Sequence, residues 1–142
     1  MAKLSLRRAR TIIRKTLEKA RELELKPVAV VVLDEGGNMV AFEREDDARP
    51  GRYQIAHGKA YGAVMLGMPG SAQMARAEQQ AYFIACANGA LGGQMVPVPG
   101  GVILRDAKGA ILGAVGISGD TSDNDAAAAK AGVEAAGLVA EI

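Results

Sequence analysis

A chain of 142 residues with 49% apolar and 23% charged side chains has the make-up of one folded domain, 1–142, which excludes general disorder. A formal charge of +1, 4% aromatics and no Trp argue against a nucleic-acid partner held by a basic field or an aromatic stacking platform. One Cys and one His exclude an internal disulfide, a Cys-based zinc site and the HExxH motif.

Residues Met1 to Lys19 carry basic side chains at short intervals around no apolar core, so the start reads as a folded helix rather than a secretory or targeting segment. No apolar run approaches the ~18 residues of a membrane span, and a cytoplasmic protein with no membrane partner is expected. Ser5 is placed to cap this first helix, with Ala9, Ile12, Ile13, Thr16, Leu17, Ala20 and Leu23 along one face. Arg7, Arg8, Arg10, Arg14, Lys15 and Lys19 fall mostly on the other faces and read as a solvated back. Pro27 closes the element. The β-branched run Val28 to Leu33, the turn Asp34-Glu35-Gly36-Gly37 and the alternating stretch Asn38 to Arg44 predict a hairpin. A second hairpin is predicted from Gly101 to Arg105, the turn Asp106-Ala107-Lys108-Gly109, and Ala110 to Ser118. The last of these strands is almost wholly apolar or Gly from Ile111 on, as suits a strand covered on both faces.

Between the hairpins, Arg52 to Leu66 reads as a helix broken at Gly67-Met68-Pro69-Gly70. Ser71 to Ala87 reads as one further helix, with Ser71 as cap and Asn88-Gly89 as exit, and Leu91 to Gly101 as loop. A last helix is expected over Asp125 to Val139, behind a capping box Ser122-x-x-Asp125. Two hairpins separated and flanked by helices make an α+β layer fold with a central antiparallel sheet.

His57 has Tyr53 four residues before it and Tyr61 four after, so all three project from one helix face. Imidazole and phenolate are both haem-iron ligands. The plain alternative is ordinary partly buried packing. Gly58 and Gly62 each cost roughly 1 kcal/mol in a helix interior, so something needs the space they leave: a ligand or a helix of another subunit. Lys59, on a neighbouring face, is a candidate partner for a carboxylate or a propionate. Asp120, Asp123 and Asp125 lack the full calcium-loop spacing and read as acids favoured by a helix dipole. Cys86, among Ile84, Ala85 and Ala87, reads as a small buried hydrophobe. The motif Gly113-x-x-Gly116-x-x-Gly119 lies largely within a predicted strand, where Gly admits close backbone or ligand approach, and no Walker A motif is present.

Four blocks, Val30 to Phe42, Ile55 to Ala60, Val98 to Val102 and Gly113 to Thr121 with Asp125, resemble the GlcG/HbpS family in the same order. That family, often called haem-degrading, includes the C-terminal domain of PduO-type proteins, and the resemblance spans about Leu4 to Ala136. It implies a profilin-like fold, homo-oligomers from dimer to octamer and, in some members, haem as cofactor. The cofactor-binding candidates are then His57, Tyr53, Tyr61 and Lys59, with iron at His57 and no other metal. Two alternatives stay open. One is a small-molecule protein or enzyme of organic-acid catabolism, in which Lys59, Arg52, Ser118 and Asp125 bind substrate. The other is a structural or regulatory oligomer without turnover.

Overall fold

In the computed structural model, which describes residues 3–142, the chain runs α1 (Leu6–Glu22), β1 (Ala29–Asp34), β2 (Met39–Arg44), α2 (Arg52–Leu66), α3 (Gly70–Gln79), α4 (Ala81–Ala90), β3 (Gly101–Arg105), β4 (Ile111–Ser118), α5 (Ser122–Ala135) and β5 (Val139–Glu141). Met1 and Ala2 lie outside the described residues. The strands form one antiparallel sheet in the order β2-β1-β4-β3-β5. The two expected hairpins are both present, joined at the centre where Ala29 to Asp34 pair with Ser118 to Gly113.

Side-chain alternation along the strands builds two cores from one sheet. Val30, Val32, Val102, Leu104, Val115 and Ile117 face α1 and α5, against Ile12, Ile13, Ala129 and Val133. Val31, Leu33, Ile103 and Ala114 face α2, against Ala56, Ala60 and Ala63. Each fully buried Val, Leu or Ile contributes about 1.5–3 kcal/mol, and these strand residues are all 0% exposed. β4 is thus covered on both faces, as its composition requires. Gly116 lets α2 lie close: a Cβ there would collide with the Ala56 carbonyl oxygen.

Four local expectations need correction. The helix read over Ser71 to Ala87 is two helices, broken at Gln80 (φ −139°, ψ 68°), and Ser71 lies inside α3, whose N-cap is Pro69. The last helix starts earlier and ends sooner than expected: Thr121, not Ser122, is its N-cap, its side chain accepting from the Asn124 amide at 3.3 Å. After Ala135 the chain turns through Gly137 (φ 81°) into β5, a short strand added to the sheet edge beside β3. Cys86 is exposed, on a helix in which only Ile84 is buried. Among the described residues, no helix is long and apolar enough to cross a membrane.

Candidate functional site

Helix α2 carries chemistry on two faces. Its outer face presents Tyr53, His57 and Tyr61 at i, i+4 and i+8, as the spacing predicts. The His57 and Tyr61 rings stack, 5.6 Å apart at 18°, and Tyr53 stands 6.0 Å from His57 on the other side. Phe42 of β2 meets Tyr53 edge-on at 4.9 Å.

A cleft of ≈ 530 Å³ opens at this face, with Tyr53, Ile55 and His57 on one wall and Gly93 to Val96 on the other. The second wall is the chain's own segment docked on α2, where the Val96 amide donates to the Gly58 carbonyl at 3.1 Å. The helix glycines are explained in the same way. A Cβ at Gly58 would stand 2.6 Å from the Gln94 carbonyl oxygen and from Val96 Cγ2, and one at Gly62 would stand 2.7 Å from Gln73 Oε1. The space is filled from within this chain, not by a ligand or a second subunit.

His57 is partly buried, and burial lowers its pKa below the ordinary 6.5, so the imidazole is neutral at neutral pH. Among the hydrogen bonds of the described residues, none involves its ring nitrogens, nor the hydroxyls of Tyr53 and Tyr61. A neutral imidazole with free nitrogens, facing a cleft walled by Ile55, Met95 and Val96, has the donor chemistry that haem iron takes.

The inner side of α2 is different. Lys59 (3% exposed) and Asp125 (0%) form a buried ion pair, Nζ to Oδ2 at 3.2 Å. Lys59 also donates to the Ile117 carbonyl at 3.0 Å, and Asp125 accepts from the backbone amides of Asp120 at 3.0 Å and Gly119 at 3.3 Å. Burial pushes the Asp125 carboxyl up and the Lys59 ammonium down, while each charge steadies the other. Arg52 lies nearby and donates to Ser118 Oγ at 3.1 Å.

The structure therefore brings Arg52, Lys59, Ser118 and Asp125 together, and separately Tyr53, His57 and Tyr61. It does not bring Lys59 to the His57 cleft. Asp120 turns away from Asp125 to accept from the Lys26 amide at 2.9 Å and from Asn124, contacts that lower its pKa to about 2. Among the described residues, no group of three metal-binding side chains forms. The cleft residues that sequence reasoning missed are Ile55, Gln94, Met95 and Val96. The one signal for them was Gly58, a helix glycine that implied a close neighbour without naming it.

Residues 4–134 match a family model described as haem degrading protein HbpS-like. The chain is similar to PduOC, solved as a complex with haem, at 26% identity over 96% of this chain and 97% of that one, with a TM-score of 0.86. A double mutant of HbpS from Streptomyces reticuli is 29% identical over 94% of this chain and 87% of its own, with a TM-score of 0.79. A 15.0 kDa protein from the dhaT-dhaS intergenic region of Citrobacter freundii, itself uncharacterized, is 31% identical over 88% of this chain and 86% of its own length.

Proposed function

The chain belongs to the HbpS-like haem-degrading protein family, and we propose that it binds haem at the cleft beside α2, with His57 as the iron ligand. The observation that carries this is the half-buried, neutral imidazole with no hydrogen-bond partner among the described residues. A buried or half-buried polar group left free in a cleft is poised for an external partner. Tyr53, which lines the same cleft, is the rival donor, while Tyr61 stacks on His57 without lining the cleft, and Ile55, Met95 and Val96 provide apolar wall for a porphyrin. PduOC, similar along nearly all of this chain, supports the reading by its own haem complex. Bound haem supplies a redox-active iron centre. The protein's part is to present the ligand, hold it neutral and exclude water from one side of it. Haem degradation is the finer part of the proposal, and it entails loss of the Soret band when a reductant and dioxygen are supplied to the complex.

A small organic acid is the second reading, and one observation favours it. Arg52 is partly exposed, and among the described residues its guanidinium bonds only to the Ser118 hydroxyl and has no carboxylate in salt-bridge range. In that reading Arg52 grips the carboxylate, while Lys59 and Asp125 hold each other behind it.

Haemin titration of the purified protein, followed by absorbance beside His57→Ala, separates the two. A saturable Soret shift that the variant loses supports the haem site. A weak, non-saturating shift shared by both proteins removes it and leaves the carboxylate reading to be tested at Arg52.

A further inference from the structure

The cleft beside α2 is walled without charge. His57 is neutral, and the facing wall, Gly93 to Val96, sits in a run with no charged residue from Ala81 through Leu104. The two cations of α2 are both engaged elsewhere. Lys59 is sealed against Asp125 at 3.2 Å, and Arg52 donates to Ser118 Oγ at 3.1 Å. The backbone of the facing wall has little to give a carboxylate either. The Gly93 amide donates to the Asn88 carbonyl at 2.7 Å, the Met95 amide to Asn88 Oδ1 at 2.8 Å and the Val96 amide to the Gly58 carbonyl at 3.1 Å. Arginines do line a groove in this chain, Arg7, Arg10, Arg14 and Arg21 along α1, but α1 packs on the opposite face of the sheet from α2.

Haem is not uniform around its rim. Two propionates share one edge, and the opposite edge is hydrocarbon. A carboxylate taken out of water with no cation or donor to receive it is strongly disfavoured. The hydrocarbon edge meets no such cost against Ile55, Met95 and Val96. We propose that the cleft takes haem by its uncharged edge and leaves both propionates in water. It then selects for the iron and the apolar ring and is indifferent to the charge of the ring's substituents. Its ligand class is iron porphyrins in general, acid or ester. This orientation rests on the haem reading of the cleft and adds which edge of the ligand the protein recognises. It also separates the cleft from the carboxylate reading, which needs Arg52.

Haemin and haemin dimethyl ester differ in the charge of the propionates and share the ring and the iron. Both are titrated into the purified protein in one non-ionic detergent, beside His57→Ala, and followed by absorbance. The haemin titration is repeated from about 0.01 M to about 1 M salt, over which the screening length falls from about 30 Å to about 3 Å. The expected result is a Kd for the ester within about threefold of that for haemin, well inside the roughly tenfold of one hydrogen bond to a charged group. Both should weaken by about tenfold or more in His57→Ala, and the haemin Kd should stay level across the salt series. An ester bound about tenfold more weakly, with a haemin affinity that falls with salt, overturns the orientation and leaves the haem reading intact. A propionate would then be held by Arg52 or by the first-turn amides of α2. An ester bound about tenfold more tightly also overturns it, since the propionates would then lose water on entry. Binding that His57→Ala leaves unchanged, or no saturable binding of either compound, overturns the haem reading of this cleft and the orientation with it. If such binding also weakens with salt, the ligand sits in the arginine-lined groove of α1 instead.

Discussion

His57 and Lys59 stand two positions apart on α2 and meet opposite treatment. Lys59 is sealed between α2, β4 and α5, charged, with a carboxylate and a carbonyl to receive its protons. His57 is half in water, neutral, and without a hydrogen-bond partner among the described residues. The contrast separates two reasons for a polar group to sit on a buried helix. A sealed pair holds elements together, and its removal is felt as lost stability. An unpaired group at a cleft mouth adds little to stability, and its removal is felt when something binds.

Breaking the sealed pair should have the largest effect. Lys59→Met leaves Asp125 buried without its counter-charge and should cost about 3–5 kcal/mol in urea unfolding. The deficit has a pH signature. With its carboxyl pKa raised in the folded state above the unfolded value, Asp125 favours folding when protonated, so the loss grows as pH rises through the folded pKa and shrinks in acid. Lys59→Met with Asp125→Leu should recover much of the stability. A single mutant as stable as the parent would mean the pair does not hold α2 to α5.

The other side of the comparison is sharpened by His57→Ala. Stability should change by about 1 kcal/mol or less, while haem affinity should fall at least about tenfold, or ~1.4 kcal/mol. Wild-type affinity should be level above pH 6.5 and decline only below the lowered folded pKa, because iron takes the neutral ring. An equal loss of stability and binding would merge the two faces into one structural role.

Much of this contrast was legible in the sequence, and the rest failed for identifiable reasons. Both hairpins carry the same turn chemistry, in which Asp34 Oδ1 accepts from the Gly36 and Asn38 amides and Asp106 Oδ1 from the Lys108 and Ala110 amides, each at 2.9 Å. Local signals of that strength fix elements without help from the fold. The bounds of α2 follow from the Gly and Pro residues that flank it, and its Tyr53–His57–Tyr61 face from spacing. The break at Gln80 has no Gly or Pro to announce it, and β5 exists only through its pairing with β3, a contact between segments far apart in sequence. Cys86 was misplaced because apolar neighbours imply burial only where something covers them. The second cleft wall, Gly93 to Val96, lies far along the chain from His57 and left a single trace in Gly58.

Smaller effects belong to the loop that leads into α5. Thr121→Ala removes the N-cap of that helix and should cost about 1 kcal/mol in thermal or urea unfolding. Asp120, held near pKa 2 by backbone and Asn124 donors, favours folding above the ordinary carboxylate value of 3.8 and loses that contribution as pH falls toward 2. Carboxyl-carbon NMR should find its midpoint near 2. A midpoint at the ordinary value would mean the Lys26 and Asn124 contacts are absent in solution.

The most direct measurement follows the ring nitrogens of His57 by ¹⁵N NMR, without and with a diamagnetic gallium protoporphyrin. The sequence has a single histidine, so the signal needs no assignment. The account predicts a ring that titrates below 6.5 in the free protein, and that stops titrating and shifts strongly when the porphyrin is bound. A ring that titrates identically with and without the porphyrin contradicts it.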